Sequence, residues 1–167
     1  QAQAPHTVGQ QIYLDRAEQN RVWSIREAGS SARNAVPGQP ETYAGWEDAA
    51  VDPDRLGDYL RDYRKLLDKY GYDASLYGHF GDGCIHGRVT FDFSTDAAVA
   101  HWRRFMVEAA ELVVAYGGSL SGEHGDGQAR AELLPIMFGE ELMDAFRTFK
   151  RIWDPLNRMN PGKLIDA

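Results

Sequence analysis

Amphipathic spacing along the chain predicts three helices. Apolar and aromatic residues recur at three- and four-residue intervals over Leu56–Tyr70, directly after Asp52 and Pro53, which suit an N-cap and a first helical position. The same spacing predicts a second helix over about Asp96–Tyr116 and a third over Leu142–Trp153. The aromatic residues of the first helix are expected to lie in the hydrophobic core, as such stripes usually do.

Strand-like segments lie between the first and second of these helices. Apolar and aromatic residues alternating with polar ones predict strands over Ala74–Phe80 and Cys84–Phe93. Gln10–Leu14 is a further candidate strand, and Glu18–Arg26 has the spacing of a helix. Helices packed on one face of an antiparallel sheet make an α+β domain, which is the fold class that we predict.

A long segment without apolar periodicity precedes the first of the three helices. Gly29–Gly45 is rich in Gly, Pro, Ser, Asn and Ala, which predicts an irregular loop. Long loops are uncommon in compact domains unless they have a function, so Arg26–Asp48 is a candidate segment for contact with a substrate or a partner. The alternative is a surface excursion without such a role.

Composition narrows the class of protein. A chain of 167 residues with 43% hydrophobic content is long enough for one domain with a core, which we place over residues 1–167. The net charge of -7 argues against binding to nucleic acid, and the single cysteine, Cys84, excludes an intrachain disulfide. No apolar run is long enough to predict a transmembrane segment. We expect a cytoplasmic domain, and the start at Gln1 suggests a fragment of a longer polypeptide.

The segment from Tyr77 to His86 predicts a β-hairpin. Asp-Gly between two strands favours a two-residue type I′ turn, because both central positions need positive φ, and Asp82-Gly83 would form it. In that register His79 lies opposite His86 on one face of the hairpin.

The predicted hairpin suits a metal site. Directly opposed residues have Cβ atoms about 4.5–5.5 Å apart, so both imidazoles can reach one ion, while Phe80 and Ile85 point together toward the core. A third ligand is required, and neutral imidazoles favour zinc, manganese or iron over calcium. The alternative is a hairpin that merely has two histidines on its surface.

The segment Gly117–Gly127 combines glycines with a Glu-His pair. Five glycines in eleven residues allow the backbone to approach a ligand closely. Glu123 offers a carboxylate as the missing ligand, and His124 is suited to accept a proton at neutral pH. The alternatives are a flexible polar loop and a backbone nest that binds phosphate.

Several strings occur in a fixed order over about Arg21–Asp166: Trp23–Gly29, Trp46–Val51, Gly78–His86, Gly122–Gly125 and Asn160–Lys163. With them the chain resembles the C-terminal domain of FAD-linked oxidases, the relatives of glycolate oxidase, D-lactate dehydrogenase and D-2-hydroxyglutarate dehydrogenase. Leu76–Phe80 and Ser119–Arg130 look most like the branch in which an iron-sulfur module follows this domain. That module is expected only in the full-length protein, because no cysteine follows Cys84.

The resemblance implies a ferredoxin-like cap domain over a flavin. FAD would be bound mainly by a domain absent from this chain. In metal-dependent relatives the positions that match His79, His86 and Glu123 bind a divalent ion, usually zinc, and the position that matches His124 is the catalytic base. The implied reaction oxidises a D-2-hydroxy acid to a 2-oxo acid, with hydride passing to the flavin.

The resemblance also implies substrate and cofactor residues. The position that matches Arg26 binds the substrate carboxylate, which suits the paired donors of a guanidinium. Arg88 is either a second carboxylate ligand or a surface residue. Asn160 and Lys163 fall in a segment expected near the cofactor. Cys84 stands where many relatives have Asn, and it is either a soft ligand or a space-filling residue.

Three other functions remain open from the sequence. A metal-independent FAD oxidase would use the paired histidines to bind substrate directly. A freestanding metal-binding or hydrolytic domain would need no flavin, whereas the flavoenzyme interpretation predicts that the chain is inactive without its FAD-binding domain. A structural interaction domain would leave the Glu-His pair unexplained. The full-length enzyme is expected either free in the cytoplasm or peripheral to the inner face of the membrane.

Overall fold

The computed structural model describes residues 9, 11–32 and 40–167. Within these ranges, residues 26 and 29–32 are described by their backbone alone. The helices are α1 Arg16–Ala32, α2 Leu56–Tyr70, α3 Asp96–Ala115 and α4 Leu134–Trp153. The strands are β1 Tyr43–Ala50, β2 Ala74–His79 and β3 Cys84–Val89. This content confirms the predicted α+β class. No helix in the described ranges has the length and apolar character needed to span a membrane.

The sheet has the strand order β1-β3-β2, and both pairs are antiparallel. A fourth, minimal strand is added at the outer edge of β1, where Ala50 and Ser119 exchange backbone hydrogen bonds of 3.0 and 2.8 Å. The chain order β-α-β-β-α followed by this bridge is the split βαβ arrangement of ferredoxin-like folds. The segment after α3, which contains the Glu-His pair, is thereby attached directly to the sheet.

The two faces of the sheet have different roles. Trp46 and Ile85 are fully buried on the face covered by α2 and α3, and the indole of Trp46 donates a hydrogen bond of 3.1 Å to the hydroxyl of Tyr59 in α2. Burial of one such large side chain stabilises the fold by roughly 1.5–3 kcal/mol. Because side chains alternate along a strand, the opposite face, which we call the site face, carries Tyr77, His79, Cys84 and His86.

Helices α2 and α3 lie where the amphipathic pattern predicts them. Asp52 accepts a hydrogen bond from the backbone of Asp54 and begins a 3₁₀ turn that continues into α2. Thr95 accepts one from the backbone of Ala98 and begins α3. By contrast, α4 begins at Leu134, eight residues before the predicted start, with a break in helical geometry at Gly139 that interrupts its periodicity.

Three segments differ from the predictions. Residues 11–14 form no strand, and Gln10 lies outside the described residues. The loop predicted over Gly29–Gly45 is wrong at both ends, because α1 continues to Ala32 and β1 begins at Tyr43; residues 33–39 are not described. β3 ends at Val89 rather than at Phe93. The backbone turns after Val89, and the amide of Phe91 donates a hydrogen bond to the carbonyl of Val89. The small residues of β1 give no clear alternation, and the strand exists through its pairing with β3.

Candidate active site

Three histidines surround one carboxylate oxygen on the site face. Nε2 of His79 lies 3.2 Å from Oε1 of Glu123, and Nε2 of His86 and Nε2 of His124 each lie 3.4 Å from the same oxygen. The four residues come from β2, β3 and the segment after α3. The structure thus brings together the three residues predicted as ion ligands and the predicted catalytic base.

The predicted register of the hairpin is wrong, but its consequence for the histidines holds. His79 is paired with Cys84, and His86 is paired with Tyr77, so the pairing is shifted by two residues from the prediction. A shift of two keeps every side chain on its original face, because side chains alternate with a period of two. His79 and His86 are therefore diagonal neighbours, with ring centroids 5.7 Å apart.

The turn of the hairpin is longer than predicted. A single 3₁₀ turn, Phe80–Asp82, is followed by Gly83 with a φ of 73°. A side chain at Gly83 would overlap the carbonyl oxygen of Val51, whose amide in turn donates to Gly83 O at 3.1 Å. Phe80 is exposed and only Ile85 points into the core, which corrects the prediction that the two point inward together.

Asp48 holds the Glu-His segment, and sequence reasoning missed it. Its side chain is fully buried, and its Oδ2 accepts hydrogen bonds from the backbone amides of Glu123 at 3.0 Å and His124 at 2.7 Å. It also accepts from the hydroxyl of Ser121. Burial raises the pKa of Asp48, but hydrogen bonds from Ser121, from these two amides and from Cys84 outweigh it and lower the pKa to about 2. Asp48 is therefore a buried, ionised group.

Cys84 acts as a hydrogen-bond donor in this structure. Its Sγ lies 3.4 Å from Oδ1 of Asp48, and its side chain is buried. Burial, together with the hydrogen bond to Asp48, raises the pKa of the thiol to about 12. In this arrangement the thiol is protonated and directed at Asp48.

The imidazole of His86 is kept neutral by its surroundings. The residue is 6% exposed, and burial and the charge of His124 lower its pKa. A neutral imidazole has a free lone pair for an ion. Side-chain ligand atoms of Asp48, His86, Glu123 and His124 all lie within 4.8 Å of one another. His79 is outside that set but contacts Glu123 at 3.2 Å.

Residues 1–164 match the family described as FAD linked oxidases, C-terminal domain. The chain belongs to this family. It is 34% identical over 157 residues to D-2-hydroxyglutarate dehydrogenase of Escherichia coli (strain K12), covering 94% of the chain and 15% of that enzyme. It is 38% identical over 144 residues to D-2-hydroxyglutarate dehydrogenase of Pseudomonas putida, covering 86% of the chain and 14% of that enzyme.

Shorter family members are also similar. Glycolate oxidase subunit GlcD of Bacillus subtilis (strain 168) is 29% identical over 148 residues, which are 88% of the chain and 31% of that subunit. The chain therefore spans less than a third of each of these relatives. Members of the family include dehydrogenases and oxidases whose names specify 2-hydroxy acids.

Of the two predicted substrate residues of this FAD-linked oxidase domain, only Arg88 has a described side chain, and it contacts Thr42. Arg88 is on the same face of β3 as His86, and its guanidinium donates to the carbonyl of Thr42 at 2.9 Å and to the hydroxyl of Thr42 at 3.4 Å. Arg26 is a residue of α1, and its side chain lies outside the described residues. Both roles remain predictions.

The predicted cofactor residues follow α4. Asn160 is exposed and has a φ of 49°, and its carbonyl accepts a hydrogen bond of 3.3 Å from the amide of Lys163. The ammonium of Lys163 donates to the side chain of Gln128, which lies just after the Glu-His pair. This contact connects the C-terminal segment to the Glu-His segment, although no contact in the described part of the chain joins Asn160 or Lys163 to Glu123.

A buried arginine and a half-buried aspartate near the site were also missed by sequence reasoning. Arg130 is 8% exposed, and within the described residues its Nε has no hydrogen-bond partner; the same is true of Oδ1 of Asp126. Burial lowers the pKa of Arg130, against the opposing influence of Asp48 and Asp126. Burial also raises the pKa of Asp126. Both residues lie in Ser119–Arg130, one of the strings that carry the family resemblance, but their residue types gave no indication of a role in the site.

Proposed function

We propose that this domain binds a D-2-hydroxy acid beside the flavin of a larger FAD-dependent enzyme. His124 would accept the proton of the 2-hydroxyl group while hydride leaves the same carbon for the flavin, so that a 2-oxo acid forms. The observation that carries the proposal is the meeting of three imidazoles at the carboxylate of Glu123, at 3.2–3.4 Å. The names of the relatives support this class of substrate.

The donor set fits a divalent ion, and we infer zinc. Two imidazoles and one carboxylate, from His79, His86 and Glu123, are a ligand set typical of catalytic zinc. The convergence of these side chains on one point, with His86 kept neutral by burial, is the structural support. When bound, such an ion lowers the pKa of a hydroxyl group that it contacts.

The protein side chains supply the remaining tasks. His124 is half exposed, so its ring is accessible from the site face, while its backbone amide is fixed by Asp48. Arg26 would bind the carboxylate of the substrate with two parallel hydrogen bonds. Arg88 is a candidate for a second carboxylate, which suits the dicarboxylate named for the most similar relatives described above.

The flavin-binding domain is the proposed partner. α4 and the segment after it expose Phe149 at 64%, Trp153 at 68% and Leu156 at 68%, and these side chains form an apolar surface. We assign this surface to the contact with the flavin-binding domain, because the chain covers only 15% of the dehydrogenase with which it shares 34% identity. Asn160 and Lys163 would lie at the edge of that contact. The iron-sulfur module would also lie outside this chain.

The test uses the full-length enzyme with D-2-hydroxyglutarate, D-lactate and glycolate, and an artificial dye as electron acceptor. His124→Asn should lower kcat by roughly 10²–10⁴-fold, as expected for loss of a general base, with flavin content unchanged. The control is His101→Asn, since His101 is a residue of α3 whose Nε2 lies 3.0 Å from the carbonyl oxygen of Tyr70 at the end of α2. Wild-type kcat in the His124 variant would refute the assignment of the base.

The metal-independent and hydrolytic alternatives predict different results when the metal is removed and when the chain is assayed alone. Removal of metal with a chelator should abolish oxidation, and added zinc should restore it. Activity that survives chelation, with no metal in the enzyme, would favour the metal-independent oxidase. Turnover of an ester or amide by the 167-residue chain alone would favour the freestanding domain.

A further inference from the structure

Asp48 occupies an irregular position in β1. Glu47 is paired with His86 and Ala49 with Ile85, so Asp48 is an extra residue that is left out of the ladder with β3. Its φ is 75°, which is unusual for a residue with a side chain. Such bulges often redirect a side chain next to a functional site. Here the bulge directs a fully buried carboxylate toward the Glu-His segment.

The acceptor capacity of this carboxylate is already used. Oδ1 accepts from Sγ of Cys84 at 3.4 Å and from the amide of Glu123 at 3.1 Å. Oδ2 accepts from the hydroxyl of Ser121 and from the amides of Glu123 at 3.0 Å and His124 at 2.7 Å. A carboxylate has about four lone-pair directions. These contacts therefore occupy the directions that an ion would need, although the group lies close to the histidine cluster.

The Glu-His segment is wrapped around Asp48. Two successive amides bonded to one carboxylate fix the backbone of Glu123 and His124, and with it the directions of both side chains. The hydroxyl of Ser121 donates to Asp48 and accepts from the amide of Gly125 at 2.7 Å. The carbonyl of Asp48 also accepts from the amide of Gly122 at 2.6 Å.

We propose that Asp48 is a positioning residue that holds the ion ligand Glu123 and the base His124 in place through their backbone amides and does not itself bind the ion. The inference rests on the proposed function of the cluster. Its geometric part does not depend on the reaction, because it concerns which protein groups the carboxylate contacts. Removing the charge should loosen the segment and displace two side chains at once.

The first experiment measures amide hydrogen exchange in the full-length enzyme. Asp48→Asn keeps the size of the side chain but places an NH₂ group against amide donors. Exchange in a peptide that covers residues 119–127 should become at least tenfold faster, while exchange in α2 stays unchanged. The control is Asp73→Asn, because Asp73 also accepts from a backbone amide, that of Ala74 at 2.8 Å, at the end of β2 remote from His79. Unchanged exchange at residues 119–127 would overturn the proposal.

The second experiment separates positioning from ligation, with Co²⁺ as the probe in the metal-depleted enzyme. Asp48→Asn should weaken Co²⁺ binding by 10–100-fold, as expected for a group that orients a ligand, and lower kcat with little change in KM. At saturating Co²⁺ the visible absorption bands should match those of the wild type, because the ligands are the same. A changed spectrum at saturation would show that Asp48 is a ligand and would overturn the proposal.

Two further outcomes separate the positioning role of Asp48 from a failure of the variant to fold and from a failure of the proposed reaction. If Asp48→Asn does not fold, Ser121→Ala serves instead, since it removes one donor to Asp48 and should speed exchange at residues 119–127 by a smaller factor. No change in exchange in that variant would count against the proposal. If the wild-type enzyme oxidises none of the three hydroxy acids while the exchange and Co²⁺ results hold, the proposed reaction fails and the positioning role stands.

Discussion

The imidazoles of His86 and His124 are stacked, with ring centroids 5.1 Å apart and planes inclined by 13°. The buried ring of His86 thus supports the half-exposed ring of His124 while both contact Glu123. The predicted ion ligand His86 therefore packs directly against the predicted base His124. Substitutions at His86 should affect the position of the base as well as ion binding.

Removal of both hairpin histidines should abolish ion binding. The double variant His79→Ala and His86→Ala leaves only Glu123 of the proposed ligand set, so zinc affinity should fall by more than 10²-fold. Zinc content of the purified full-length enzyme and calorimetric titration measure the effect. The single variant His101→Ala serves as the control for loss of a histidine. Wild-type zinc affinity in the double variant would contradict the metal assignment.

A side chain at Gly83 should destabilise the domain strongly. Gly83→Ala combines a positive φ with overlap between the new Cβ and the carbonyl of Val51, so the free energy of unfolding should fall by roughly 3 kcal/mol or more. Gly71→Ala is the matched control, because Gly71 has a similar φ of 70° and open space around it. It should cost about 1 kcal/mol. Urea unfolding measures both, and equal losses would refute the role of the overlap.

Stability should depend on pH through Asp154. Its buried carboxylate accepts from the ammonium of Lys150 and from the amides of Arg158 and Met159, and these bonds lower its pKa from 3.8 to about 2. A carboxyl group whose pKa is lowered by folding stabilises the native state above its unfolded pKa, and that contribution is lost as pH falls through the folded value.

Asp154→Asn should therefore lower the free energy of unfolding most above about pH 4, and the difference from the wild type should shrink toward pH 2. Urea unfolding between pH 2.5 and 6, a range chosen around the pKa values above, measures it. Asp58→Asn is the control, since the exposed pair of Asp58 with Arg61 should contribute less than about 1 kcal/mol at any pH. A difference that grows on acidification would contradict the prediction.

Substitution on the apolar surface of α4 should have little effect on the 167-residue chain and a clear effect on the full-length enzyme. Trp153→Ser should change the unfolding free energy of the 167-residue chain by less than about 0.5 kcal/mol, because the side chain is 68% exposed. In the full-length enzyme the same substitution should lower flavin content or thermal stability, if the surface is covered by the flavin-binding domain. Wild-type behaviour in both proteins would remove that assignment.

Helices that bury one side were predictable, because their apolar residues recur with the period of the helix. α2 and α3 were predicted closely because their buried residues recur every three or four positions. β1 was missed because its small residues have no clear alternation and its existence depends on pairing with β3, which lies far along the chain. The position of α4 was only partly predicted, since Gly139 interrupts its pattern.

The residues of the histidine cluster could be predicted from the sequence, but the buried Asp48 that holds their backbone could not. The histidines and Glu123 could be proposed from the chemistry of their residue types, and the wrong hairpin register did no harm, since it differed by two residues. Asp48 could not be found in this way. It acts on backbone amides 75 and 76 residues away, and such long-range hydrogen bonds leave no periodic trace in the sequence.

The alternation of side chains in the hairpin limits how the register of its two strands can change. A slip of β2 against β3 by one residue would turn His79 toward the helices, whereas a slip by two residues would return a side chain in that position to the site face. Homologous domains that keep these histidines should therefore differ in this register only by even numbers of residues.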